Sequence, residues 1–122
     1  GYLAPYISEI SAQMCADFEA DGFAVGIAAT FGEGQDSVVG RISPGSIKTA
    51  LGTLAASAAG GIDAIFVSCT SLKCASIIAA AEAELGIPVI SSNSALAWDM
   101  ARLANVPVGG PVNGTGKGML FA

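Results

Sequence analysis

Short apolar runs of strand length recur along the chain at Gly1–Ala4, Phe23–Thr30, Ile62–Val67 and Pro88–Ser91. Between them the apolar residues return at helical spacing, and each helical segment closes in glycine, proline or small polar residues. The first helix is predicted over Ser8–Ala20, with Ile10, Met14, Cys15 and Phe18 toward the core and Asp21-Gly22 as its stop. Phe23–Thr30 is almost continuously apolar, which predicts a strand buried on both faces. Phe31–Ser43 is the longest connection, with a short helical turn expected over Ser37–Arg41. Ser43-Pro44 is a strong helix start, serine as cap and proline in the first turn, and that helix runs through Ile47, Ala50, Leu51 and Leu54 to about Ala59.

The centre of the pattern is Ile62–Asn93. A strand ends abruptly in Ser68-Cys69-Thr70-Ser71; a helical pattern follows with Leu72, Ile77, Ile78, Ala81 and Leu85, stopping at Gly86. Pro88–Ser91 is the next strand, ending in Ser92-Asn93, and a last helix is expected over Ser94–Ala104 with Leu96, Ala97, Met100 and Leu103 on one side. Strands alternating with helices specify an α/β fold with a parallel sheet covered on both faces. In such sheets ligands bind at the carboxyl ends of the strands, and Cys69 lies there. Residues 1–104 read as one domain. Residues 105–122, rich in glycine and proline and ending Met119-Leu120-Phe121, read as a tail that must cover something or be disordered. The chain opens at Gly1 on what reads as the end of a strand, so the expectation is that these residues belong to something longer.

Composition narrows the function. The chain is 52% hydrophobic and only 12% charged, with a mean hydropathy of +0.64. No apolar run approaches the ~18–20 residues that would span a bilayer as a helix. The net charge is −5, and the five Lys plus Arg are scattered, so neither a nucleic-acid patch nor a basic membrane face is expected. There is no histidine, which removes Cys–His and Ser–His nucleophile pairs and histidine metal sites from this chain. Its three cysteines suggest free thiols in a reducing, cytoplasmic setting. Cys69 and Cys74 lack a metal-ligand spacing, and Cys15 reads as a core thiol. Gly32-Glu33-Gly34 lacks the third glycine of a dinucleotide-binding turn, and no phosphate loop is present. No metal and no cofactor are expected.

Cys69 carries the candidate chemistry. It stands where a strand ends and a helix is expected to begin, so the partial positive charge of the helix end favours the thiolate, with the N–H groups of Thr70, Ser71 and Leu72 as candidates to face it. The same donors would hold a carboxylate or enolate oxygen, with the Thr70 and Ser71 hydroxyls as neutral partners. The competing reading is a small packed cysteine beside ordinary cap residues. Cys74, expected one helical turn on, reads as core.

Ile62–Ser68 followed by Cys69-Thr70-Ser71-Leu72, and then the stretch from Ala81 to Ala104, resembles the aspartate/glutamate racemase superfamily, in particular its maleate cis–trans isomerase and arylmalonate decarboxylase branch. Ala4-Pro5-Tyr6-Ile7, Asp36–Pro44 and Gly116–Phe121 agree in order. The resemblance implies two flavodoxin-like α/β domains about a pseudo-two-fold axis, each able to supply one cysteine to the cleft between them. This chain resembles the second half, with the tail returning to the first. By the same resemblance Cys69 is the second-half catalytic cysteine, Tyr6 a hydrogen-bond donor to a substrate carboxylate, and Thr70 a further substrate contact. Gln35 stands where many isomerases have asparagine, and its longer amide would bind carboxylate. Ser92 and Asn93 fit as strand end and helix cap. The implied substrate is a small dicarboxylate and the implied partner a missing first-half domain or a second copy. Isomerase, decarboxylase and racemase chemistry stay open, as does a half-domain that dimerises and binds carboxylates without catalysis.

Overall fold

A computed structural model describes residues 1–107 and 118–121. The chain forms β1 (Tyr2–Ala4), α1 (Ser8–Ala20), β2 (Ala28–Thr30), α2 (Asp36–Val39), α3 (Pro44–Ser57), β3 (Ile65–Val67), α4 (Ile78–Leu85), β4 (Val89–Ser91) and α5 (Ser92–Leu103), with a 3-10 turn at Met119–Phe121. The four strands make one parallel sheet in the order β2-β1-β3-β4, a flavodoxin-like arrangement. β1 lies between β2 and β3, so the chain crosses over after β2, and the right-handed crossover rule puts α1 and α3 on opposite faces.

The face under α3 and α4 is sealed. Leu3, Ile65, Val67 and Val89 point into it and meet Ile47, Leu51 and Leu54 of α3 with Ile78 and Ala81 of α4, all nearly inaccessible. α3 starts as the sequence dictates: the Ser43 side chain accepts from the Ser46 N–H, and Pro44 occupies the first turn. On the other face α1 reaches the sheet through Phe18, whose ring lies 6.1 Å from Tyr2 and 5.3 Å from Phe66. Gly86 ends α4 with φ +72°, the left-handed cap that glycine adopts without steric cost.

Several expected boundaries shift, each for a local reason. The strand expected over Phe23–Thr30 shrinks to Ala28–Thr30. β2 is an edge strand, so it is not buried on both faces: Ala28 and Ala29 are exposed, and Phe23, still before the strand, is 65% exposed. The strand expected from Ile62 pairs only from Ile65. α5 starts at Ser92 rather than Ser94, because Ser91 and Ser94 form a reciprocal capping box. α1 sits as expected, but Ile10 is 48% exposed and Cys15 is only half-buried, so neither is core. Cys15 instead lines a groove of about 220 Å³ between α1 and the edge strand.

The tail expected over 105–122 falls mostly outside the described residues. Its described end, Met119–Phe121, packs beside α5 and β4 of this same domain. The Met119 N–H donates to Oε2 of Glu82 at 2.7 Å, while Oε1 of that buried carboxylate accepts from the Val89 N–H at 2.9 Å.

Candidate functional site

Cys69 follows β3 at the carboxyl edge of the sheet, but no helix follows it directly. α4 begins only at Ile78, so Leu72–Ile77 form turns and Cys74 lies in them rather than in a helix. The expectation that this helix's N-terminus activates Cys69 is therefore corrected. What the structure provides instead is backbone strain. Cys69 has φ +88°, a left-handed conformation that costs a side-chain-bearing residue about 1–3 kcal/mol and gathers at functional sites. The Leu72 N–H donates to the Cys69 carbonyl at 3.3 Å and closes a tight turn. The Thr70 and Ser71 N–H groups donate to no partner among the described residues, so the turn presents two free donors beside the thiol without a helix.

A different helix holds this turn. The Cys69 N–H donates to Ser92 Oγ at 3.2 Å, and Asn93 Nδ2 donates to the Thr70 carbonyl at 2.9 Å. Both side chains come from the first turn of α5, whose partial positive charge faces the turn. Ser92 and Asn93 read from sequence as strand end and cap, yet the cap is Ser91 and these two reach across to position Cys69. The available signal was their place at the end of the neighbouring strand, at the same sheet edge.

Tyr6 comes to Cys69 from the end of β1. Its carbonyl is anchored by the Thr30 hydroxyl and by Ser11 Oγ at 3.4 Å, and the Glu33 N–H donates to the Pro5 carbonyl at 2.6 Å. Burial raises the Tyr6 phenol above its ordinary value. Cys69 and Asp36 add to the rise, and Ser68 opposes it. At neutral pH Tyr6 is thus protonated and able to donate. Cys69, Tyr6, Thr70 and Ser71 form one cluster, with Thr70 exposed and Ser71 half-buried. Gln35 begins α2 with its side chain exposed and uncapped, its N–H donating to Glu33 Oε1 at 2.8 Å. The neighbour that reaches Tyr6 electrostatically is Asp36, a residue the sequence reading passed over. Cys74 is 2% exposed, and burial pushes its thiol up to about 11, so it is a packing residue.

A parallel α/β sheet with a strained cysteine at its carboxyl edge defines a class of cysteine-bearing ligand sites at strand ends. Within that class the chain belongs to the arylmalonate decarboxylase family, whose model matches residues 3–121. The curated maleate isomerase of Nocardia farcinica (strain IFM 10152) is 28% identical over 110 residues, covering 89% of this chain and 43% of that protein. The solved Nocardia farcinica maleate cis-trans isomerase, a cysteine-to-serine variant with a covalently bound succinylcysteine intermediate, superposes with a TM-score of 0.85 at 26% identity, covering 98% of this chain and 46% of its own. Arylmalonate decarboxylase gives a TM-score of 0.80 at 25% identity, covering 98% of this chain and 52% of that structure. The chain therefore spans about half the length of the relatives it matches.

Proposed function

We propose that this chain supplies one half of a cofactor-independent cis–trans isomerase site for a small dicarboxylate of the maleate type, with Cys69 as its catalytic thiol. The observation that carries the reading is the left-handed Cys69 at the carboxyl edge of the sheet, its turn held by Ser92 and Asn93. The succinylcysteine of the Nocardia relative is the adduct of a thiol across the double bond of maleate. In the reaction we propose, a thiolate adds to one alkene carbon and the electron pair moves to the other. The adjoining carboxylate delocalises it as an enediolate, the former double bond turns as a single bond, and expulsion of the thiolate leaves the trans product. Cys69 lends a proton to the carbanion carbon and retrieves it before expulsion. Tyr6, Thr70, Ser71 and Gln35 bind the carboxylates, where hydrogen bonds to developing charge are strongest.

The second cysteine and the rest of the carboxylate cradle belong to a completing first-half domain or a second copy, and the cytoplasm, with its reduced thiols, is the compartment we assign. The matched half-length of the chain supports that partner. So do the exposed apolar residues of α5. The intact mass of the native polypeptide under denaturing, reducing conditions decides between them. A mass near 12.0 kDa requires a second copy or a separate partner chain, and about twice that puts the completing domain in the same polypeptide. Cys69→Ala in the native protein should lower maleate-to-fumarate turnover at least about a thousandfold with an unchanged circular dichroism spectrum; full activity in that variant overturns the reading. Decarboxylation of an arylmalonate, favoured by the family match itself, is the second reading. It uses Cys69 as the acid that protonates the enediolate left by loss of carbon dioxide, and arylmalonate consumption without maleate turnover would select it.

A further inference from the structure

Glu82 places a charged group on the buried side of α4, where it is 3% exposed. A buried carboxylate must be met by donors, and each of its oxygens takes a backbone N–H. Oε1 accepts from Val89 of β4 at 2.9 Å and Oε2 from Met119 at 2.7 Å. The first bond closes the outer edge of the sheet. The Pro88 carbonyl accepts from the Ile65 N–H on the β3 side, so by alternation the Val89 N–H points away from β3. The second bond reaches 37 positions along the chain. Gly118 fits beside it only for want of a side chain. It has φ +75°, and a Cβ there would lie 2.6 Å from Ile78 Cγ2 and 2.8 Å from Glu82 Oε2. The Phe121 N–H closes the turn onto the Gly118 carbonyl at 3.2 Å. The turn so fastened packs against α5 and β4. α5 itself has no fully buried residue. Apart from β4, which it continues directly, this turn is its principal support among the described residues.

We propose that Glu82 is a positioning residue: it fastens Gly118–Phe121 as a brace against α5, and the brace keeps the first turn of α5 where Ser92 and Asn93 grip the Cys69–Thr70 backbone. The side chain suits that task. Two N–H groups from two separate elements need two acceptor oxygens, which a carboxylate has and a glutamine amide lacks. An apolar residue would fill the same place on α4 without desolvating a charge, but it would hold neither element. The last link is the bond from the Cys69 N–H to Ser92 Oγ at 3.2 Å, which closes only while α5 is in place. No proton moves and no covalent bond changes along this path. The use of the brace in turnover rests on the isomerase reading, whereas the brace itself is measurable without substrate.

Residue-resolved amide hydrogen exchange on the native protein tests this. Gly118→Ala, which lies outside the sealed core, should detach the turn. Exchange should then rise at least about tenfold at Met119, the worth of a hydrogen bond to a charged group, and at least about threefold at Cys69 as α5 opens locally. Ser68 is the reference: its N–H is held by the Leu3 carbonyl at 2.8 Å in the central sheet, and its exchange should not change. Ser92→Ala removes the acceptor of the Cys69 N–H, so combining it with Gly118→Ala should exchange Cys69 no faster than Ser92→Ala alone. Glu82→Gln should release either Met119 or Val89, and should speed Cys69 only where Met119 is the one released. Parental exchange at Cys69 or at Met119 in Gly118→Ala overturns the brace. So does a rise at Ser68 equal to that at Cys69, which is general loosening, or a Glu82→Gln variant in which neither amide is released. Should Glu82→Gln fail to fold, Gly118→Ala decides alone. Absence of maleate turnover in the parent alters none of these readouts and counts only against the isomerase.

Discussion

α3 and α5 are helices of 14 and 12 residues, each capped by a serine, with apolar residues at helical spacing, and they do different work. α3 buries Ile47, Leu51 and Leu54 against the sheet with at most 2% exposure. α5 buries no residue fully and leaves Leu96, Met100 and Leu103 57–66% exposed. Its structural contribution is concentrated in the first turn, where Ser92 and Asn93 hold the Cys69–Thr70 backbone. One helix stabilises the sheet and the other presents the site. Among the described residues, the apolar stripe of α5 is not covered by the core.

The contrast is sharpest in truncations. Leu51→Ala should destabilise the chain by about 2–5 kcal/mol in urea unfolding, the cost of lost burial plus a cavity. A cost below about 1 kcal/mol would show that the α3 face repacks and is not the foundation described here. On the same sealed side Cys74, raised from 9.0 to about 11 by burial first and by the Cys69 charge second, should alkylate at pH 8 roughly a hundredfold more slowly than an unperturbed thiol. The sign of the linked stability follows. The unfolded thiol ionises first, so stability is flat below about pH 9 and falls as pH rises toward 11; the raised Tyr2 and Tyr6 phenols extend the fall upward. Stability that is level through pH 11 would contradict the burial of Cys74.

At the site the effects are smaller. Cys69→Gly should be about 1–2 kcal/mol more stable than Cys69→Ala, since glycine removes the positive-φ strain and alanine retains it; equal stabilities would mean an unstrained turn. Ser92→Ala should cost about 1 kcal/mol through the lost bond to the Cys69 N–H, with most of the consequence in Cys69 alkylation rather than in unfolding. Met100→Ala, on the exposed stripe, should change the stability of the chain alone by less than about 0.5 kcal/mol. A loss as large as that of Leu51→Ala would erase the distinction between the two helices.

Much of this was legible before any coordinates. The α/β alternation, the placement of Cys69 at the carboxyl edge, the Ser43-Pro44 helix start and the Gly86 stop are local properties of periodicity and capping, and the structure bears them out. Family resemblance, rather than periodicity, singled out Tyr6 as a donor to a substrate carboxylate. Boundaries were harder to read. An apolar run such as Phe23–Ile27 looks the same whether it pairs in the sheet or leads into an edge strand, and only the sheet order separates those cases.

By itself the sequence determined the elements and the candidate thiol, because the 3.6-residue and two-residue periods and the cap residues act over a few neighbouring positions. Tertiary structure alone decided that the chain turns left-handed at Cys69 instead of entering a helix. It also decided that Ser92 and Asn93, more than 20 positions downstream, hold that turn, and that the buried Tyr2 hydroxyl has no partner among the described residues. Those outcomes depend on which strands become neighbours. Parallel pairing joins residues far apart in the chain, so the hydrogen bonds made at the sheet edge have no counterpart in local sequence.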